Sequence, residues 1–389
     1  MLAEKPLKEL LYATYDSLSD AVNIGLKKSD MPAAMRLHLQ DNTFMFSGFK
    51  THTQMQQASR LLLDDDSNLK PFNQFLQDVQ TIDKTYNGSY LQAEYNFAVH
   101  SAQSAAQWQE FASDADDFYL RYRTAGDERV REQHRLLDGI TLPVEDKFWD
   151  EFFPPNGWNC RCSVIQVPKH SATPSSSSEA IAKGRSATYL PNSKGENKAK
   201  IFRFNPGKDK KIFPPKHPYY PKGCGNCDLK QFKAGKGKQE CKVCKIIHNQ
   251  SLEEIQKTFQ GLEYKEKCSF AKNYLKENKV GKVFFSHPDF GNRKAEFVTG
   301  AIDEAIRQPA AFDIKFDILF NLENYLDPNA KLTIEPPKDG KDKARQFFVL
   351  TTKYKGANKS FKDKKVEILF RENQNRTINI HFVRLFFDE

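Results

Sequence analysis

One basic, proline-broken stretch constrains this chain more than any other feature. Residues 198–245 hold 14 Lys or Arg against 3 Asp or Glu, a local charge of +11. Because the whole chain carries +9, the remainder sums to −2. The prolines in "FPPKHPYYPKG" forbid long helices and central strands across it, so the chain must fold as separate blocks on either side. A length of 389 residues fits two or three domains. Hydrophobic residues at 39%, with 31 Phe and 14 Tyr, suffice for real cores. A basic segment of this kind either meets a polyanion such as nucleic acid or is a solvated loop. Its interleaved aromatics can pack locally or stack on bases.

The same stretch carries Cys224-x2-Cys227 and Cys241-x2-Cys244. Each Cys-x2-Cys turn presents two sulfurs to one ion, and two such turns complete the closed, four-thiolate site preferred by structural Zn²⁺. We therefore expect a zinc-knuckle connector with no open position for metal catalysis. Free thiols or a redox pair are the alternatives. The other cysteines are 160, 162 and 268, and an odd total with short spacings argues against a secreted disulfide framework. No apolar run approaches the length of a membrane span. The amphipathic start lacks the apolar core of a signal peptide, so a cytoplasmic protein without membrane contact is expected.

Before the basic stretch the pattern is mainly helical. Leu7, Leu10, Leu11, Tyr15 and Leu18 share one helical face, as do Phe72, Phe75, Leu76 and Val79. "SYLQAEYNFAVHSAQSAAQWQEF" reads as a longer helix, "DFYLRYRT" and "CRCSVIQV" as strands, and "GDERVREQHRLLDG" as a helix stopped by Gly139. On a strand, Cys160 and Cys162 would point to one face. His134 and Asp138, four apart on the preceding helix, would share another. These four residues are a second candidate metal site, with buried thiols beside a core histidine as the bland reading. Residues 169–200 read as a Ser/Pro-rich linker, 201–250 as the basic connector and 251–280 as a helical linker with Ser251 as N-cap.

Residues 281–389 read as two helices, 294–308 and "FDIKFDILFNLENYL", followed by four strands in an antiparallel meander. The expected class is α+β multidomain.

"RYRTAGDERVREQHRLLDGITLPVEDKFWDEFFPPNGWNCRCSVIQV" resembles the signature of the phage Mu F-like family of phage head morphogenesis, or minor head, proteins. The resemblance covers roughly residues 60–168, within a domain taken as 1–168. It implies a phage or prophage protein that meets portal and capsid proteins, made in the bacterial cytoplasm during assembly and carried in the virion head. By element order alone, the C-terminal block resembles barnase–EndoU–colicin–RelE nucleases. That resemblance implies a metal-independent ribonuclease toxin with an immunity protein as a further partner. Its candidate catalytic residues are His381, Arg371 and Arg384 on strands, with Lys315 and Glu296 on helices. His381 and Arg384 fall on opposite faces of a regular strand, so a bulge is needed to bring them together. His287 is a loop alternative. The contrasting reading is a non-catalytic, zinc-stabilised adaptor that binds nucleic acid.

Overall fold

Helix and strand patterning changes over where the chain divides. A computed structural model describes residues 4–220 and most of 247–386, apart from 248, 249, 252, 253, 256, 258, 282, 308, 338–342, 357 and 359. It separates into two units, the first built from the chain up to 222 with 241–252, the second from 253–389 with 223–240. Cys224, Cys227, Cys241 and Cys244 lie outside the described residues.

Unit 1 is built on helices α1 (Glu4–Leu26), α2 (Ala33–Arg60), α3 (Phe72–Lys84) and α4 (Leu91–Ser113). Leu18, Ala21, Val22 and Leu26 of α1 are buried against the small face Ala98, Ala102 and Ala105 of α4. The approach is close: a Cβ on Gly25 would lie 2.5 Å from the Val99 carbonyl oxygen. α2 shows no narrow apolar stripe, because it is buried on most sides. Its Thr43 and Ser47 hydroxyls bond back to the carbonyls of Leu39 and Thr43, at 2.8 and 2.9 Å, and so satisfy themselves in the core. α3 forms on the expected stripe yet buries none of its residues, and Phe72 is 71% exposed. A π-helical turn, Thr85–Tyr90, joins it to α4.

A second core lies at the far end of α4. Strands β1 (Phe118–Arg123), β2 (Thr141–Pro143) and β3 (Ser163–Pro168) form an antiparallel sheet in the order β2-β1-β3. Leu120 and Tyr122 of β1 pack with Trp149, Phe152, Phe153 and Val164. The Ser/Pro-rich stretch is not a free linker. It contains helix Ser177–Ala187, N-capped by Ser176, which buries Ala180 and Ala187 in this core. The early part of the expected basic connector is also built in. Phe202, Phe204, Ile212 and Phe213 join the helical core, and Phe213 stacks on Phe46 at 3.8 Å. Its aromatics pack rather than stand free, each large side chain contributing about 1.5–3 kcal/mol of burial. Ser251 is not a cap: it lies inside helical backbone and its hydroxyl donates to Asp41.

Unit 2 differs from the expected order in one respect that matters. Its sheet has six strands, in the order β4-β5-β9-β8-β7-β6. These are β4 (Phe284–Ser286), β5 (Lys294–Phe297), β6 (Leu332–Glu335), β7 (Ala344–Lys353), β8 (Lys365–Asn373) and β9 (Ile378–Leu385). Strands β6 to β9 make the expected antiparallel meander. β5 adds to β9 in parallel, and β4 pairs antiparallel with β5, so the sheet is mixed. The predicted helix 294–308 therefore begins as strand: its first four residues pair in the sheet, and the helix is Thr299–Ile306. The helix Phe312–Phe320 follows. No helix among the described residues is long and apolar enough to cross a membrane.

Candidate functional site

The residues singled out from the sequence fall into two groups, one in each unit. In unit 1, His134 sits on the four-residue helix Glu132–Arg135. The chain then turns at Gly139, whose φ of +79° suits a residue without Cβ. The Gly139 N–H donates to the Tyr122 carbonyl at 2.9 Å, and the Tyr122 N–H to the Ile140 carbonyl at 2.9 Å. This clamps the turn to β1. Opposite it, the Pro154–Trp158 turn is held by Arg131, whose guanidinium donates to the Trp158 carbonyl. Asn159 at φ 56° then swings the two cysteines inward.

Both cysteine sulfurs lie 3.7 Å from His134 Nδ1. His134 and Cys160 are buried and Cys162 is half-buried. The cysteines precede β3 rather than lying on it, so a turn and not strand alternation makes them neighbours. Asp138 does not join them. Its Oδ1 accepts from the Thr124 N–H at 2.8 Å and the Thr124 hydroxyl at 3.1 Å. Arg161, between the thiols, forks onto Asp127 at 2.6 Å through both Nη atoms. Beneath them the buried Tyr122 hydroxyl donates to Asn156 Oδ1 at 2.8 Å.

The thiols share their protons unequally. The hydrogen bond from Cys162 draws the Cys160 thiol well below its usual range, against burial and with help from His134. Cys162 is pushed up by that same bond, by burial and by the charge on Cys160. One proton leaves readily and the second is held. Among the described residues, His134, Cys160 and Cys162 are the group of His, Cys, Asp or Glu whose ligand atoms converge, all within 4.8 Å of one another.

In unit 2 the required bulge is present. Leu369 pairs with Phe382 and Phe370 with Ile380, leaving His381 as an extra residue on β9. Its ring turns to the face of Phe347, at 5.6 Å. Directly paired residues share a face, and a row runs Phe347, Arg371, Asn379, Glu296 and Phe284 across five strands. Arg384 lies on this face too, opposite Glu367. Glu296 thus lies on this face from a strand and not from a helix. Lys315 is on a helix as expected, buried, with Nζ 5.7 Å from the Phe382 ring centre. Arg384 is held by Glu335, at 3.0 and 2.9 Å, and by Glu367 at 2.7 Å. His287 is structural: its Nε2 meets the Ala330 carbonyl at 2.7 Å and its Nδ1 accepts from the Asp289 N–H at 3.1 Å.

Local sequence reasoning missed the buried Lys50–Glu94 pair on α2 and α4, with the Tyr219 hydroxyl donating to Glu94 Oε1 at 3.0 Å. The signal available was a lone acid on the Ala-rich inner face of α4.

Residues 18–165 match the family model described as Phage Mu protein F like protein. This stretch contains α2, α3, α4, β1, β2 and the whole thiol–imidazole cluster, and over it the chain is similar to the phage Mu protein F-like family. It is 37% identical over 71 residues to the putative capsid assembly protein F of Escherichia phage Mu, covering 18% of this chain and 16% of that protein. It is 36% identical over 73 residues to the Mu-like prophage FluMu F protein of Haemophilus influenzae, covering 19% of this chain and 17% of that protein. The alignments thus span about a sixth of the length of these curated relatives. No solved structure matches the chain.

Proposed function

We propose that the protein is a minor head protein that works in building the head of a Mu-like phage or prophage, against portal and capsid proteins. The observation that carries this reading is the family match across 18–165, which takes in most of the described fold of unit 1. The relative in phage Mu bears the name capsid assembly protein. The protein then resides in the cytoplasm during assembly and afterwards in the virion head. Expression with the neighbouring head genes tests this: the chain is expected to co-sediment with procapsids and to be captured with portal protein. Absence from both procapsids and virions would refute it.

The sheet face of unit 2 supports a second activity, metal-independent RNA cleavage. His381 and Glu296 supply proton-transfer groups, and Arg371 supplies a cation for the phosphorane on the same face. Such an activity requires an inhibitory partner in the producing cell. Purified full-length protein is expected to cleave RNA in the presence of a chelator. His381→Ala should reduce the rate by about 10²–10⁴-fold, the usual contribution of a positioned acid or base. Undiminished cleavage by His381→Ala and Arg371→Ala removes this site assignment. The spacing of Cys224, Cys227, Cys241 and Cys244 supports a closed structural zinc that orders the basic segment.

A further inference from the structure

We infer that His134, Cys160 and Cys162 together hold one zinc ion, with its fourth coordination position open to an exchangeable ligand. Zn–S bonds of about 2.3 Å and Zn–N bonds of about 2.0–2.1 Å, set at the tetrahedral angle, place sulfur and nitrogen about 3.6 Å apart. Both sulfurs lie 3.7 Å from Nδ1. Both sulfur–nitrogen edges thus already have the span of a zinc tetrahedron, and all three ligand atoms lie within 4.8 Å of one another. A disulfide would need the sulfurs about 2.05 Å apart, and both cysteines are free.

The donor chemistry selects the ion. Two thiolates and an imidazole suit zinc and other soft or borderline cations, whereas magnesium and calcium require oxygen ligands. The ligands are also fixed before the ion arrives. One comes from the turn clamped to β1 and two from the turn that Arg131 ties down. Nδ1, the ring nitrogen beside the backbone, faces both sulfurs and is the atom that would bind.

The fourth position separates this site from the four-cysteine motif. Asp138 is engaged by Thr124, and among the described residues no further His, Cys, Asp or Glu converges on the trio. Cys162 is the half-buried member, so solvent or a partner's side chain reaches the ion from its side. Three protein ligands with one open position is the arrangement that leaves a zinc ion able to bind water or a further residue.

The experiment uses the full chain with Cys224→Ser and Cys227→Ser, which disables the other cysteine motif. Metal analysis is expected to find one zinc per chain. Cobalt replacing it is expected to show thiolate-to-metal charge transfer, and its visible spectrum is expected to shift on adding azide. Adding His134→Ala, or Cys160→Ser with Cys162→Ser, should remove that equivalent while circular dichroism is unchanged. Should those variants fold poorly, alkylation mapping on the parent reads the same point: zinc protects Cys160 and Cys162 from iodoacetamide and chelation exposes them. A folded parent that holds no zinc and takes up no cobalt overturns the proposal. So does equal alkylation with and without chelator, or an ion that survives removal of all three ligands. A cobalt spectrum indifferent to azide overturns the open position.

Discussion

Replacing Lys50 by Met tests how the helical core tolerates a buried charge. Lys50 is fully buried and its ammonium meets Glu94, whose side chain is 3% exposed. Burial lowers Lys50 and raises Glu94, while their mutual attraction pulls each the other way. Methionine fills a similar volume, so cavity formation is minor. What remains is a buried Glu94 with the Tyr219 hydroxyl as its donor. Breaking a buried pair on one side typically costs about 3–5 kcal/mol. Here protonation of Glu94 offers an escape. Its ordinary value is 4.5, and each pH unit above that costs about 1.36 kcal/mol. The charge penalty is therefore capped near 3.4 kcal/mol at pH 7 and near 1.4 kcal/mol at pH 5.5. At about 2–4 °C per kcal/mol for a unit of this size, melting falls by about 7–14 °C at pH 7 and by about 3–6 °C at pH 5.5. The sign follows from linkage. In the variant the folded state holds a proton that the unfolded state releases, so stability is lost as pH rises from 4.5 upward. Thermal melts from pH 5 to 8 of the wild type, Lys50→Met and Lys50→Met with Glu94→Gln check it. The double variant should lose the pH dependence. A penalty flat across that range, or equal pH dependence in the double variant, refutes the reasoning.

Two further outcomes follow from geometry. A Cβ on Gly184 would lie 2.6–2.7 Å from ring carbons of Phe152, so Gly184→Val should cost about 1–3 kcal/mol by overpacking; an unchanged melting temperature would mean that helix Ser177–Ala187 does not pack there. The Arg161 fork holds the Asp127 carboxyl down at about 2. In Arg161→Ala that carboxyl should rise by NMR from about 2 towards its ordinary 3.8, with Arg129 still holding it partly down. The pair's contribution, present above 3.8, is lost as pH falls towards 2, so the two proteins should converge in stability in acid.

Elements with a one-sided apolar pattern were legible in the sequence, and those with another source of stability were not. β1 and α3 follow directly from alternation and from a three-four spacing. α2 escapes because it is buried on most sides and its hydroxyls bond to its own backbone. "KAEF" merges with the helical pattern after it, and only pairing with a strand far along the chain makes it β5. The Ser/Pro composition of 169–200 hides Ala180, Gly184 and Ala187, small residues chosen to fit under large neighbours. At the thiol cluster three of the four residues singled out from the sequence come together, through a geometry other than the expected one. Strand alternation was expected to align Cys160 and Cys162, whereas the turn at Asn159 does so, and Asp138 was spent on Thr124. Sharing of the sheet face by His381, Arg371 and Arg384 depended on a bulge that no local pattern encodes.

The parallel pairing of β5 with β9 also sets a clock. β9 lies in the middle of the sheet, with β5 on one side and β8 on the other, yet it is the last of these strands to be synthesised. The hairpin β4–β5 must wait for it through several seconds of translation, at about 5–20 residues per second. Until then the sheet exists only as two incomplete halves with open edges. The face that joins Glu296 to Arg371 and His381 comes into being in one late step. Any activity housed there begins only when the ribosome has let β9 go.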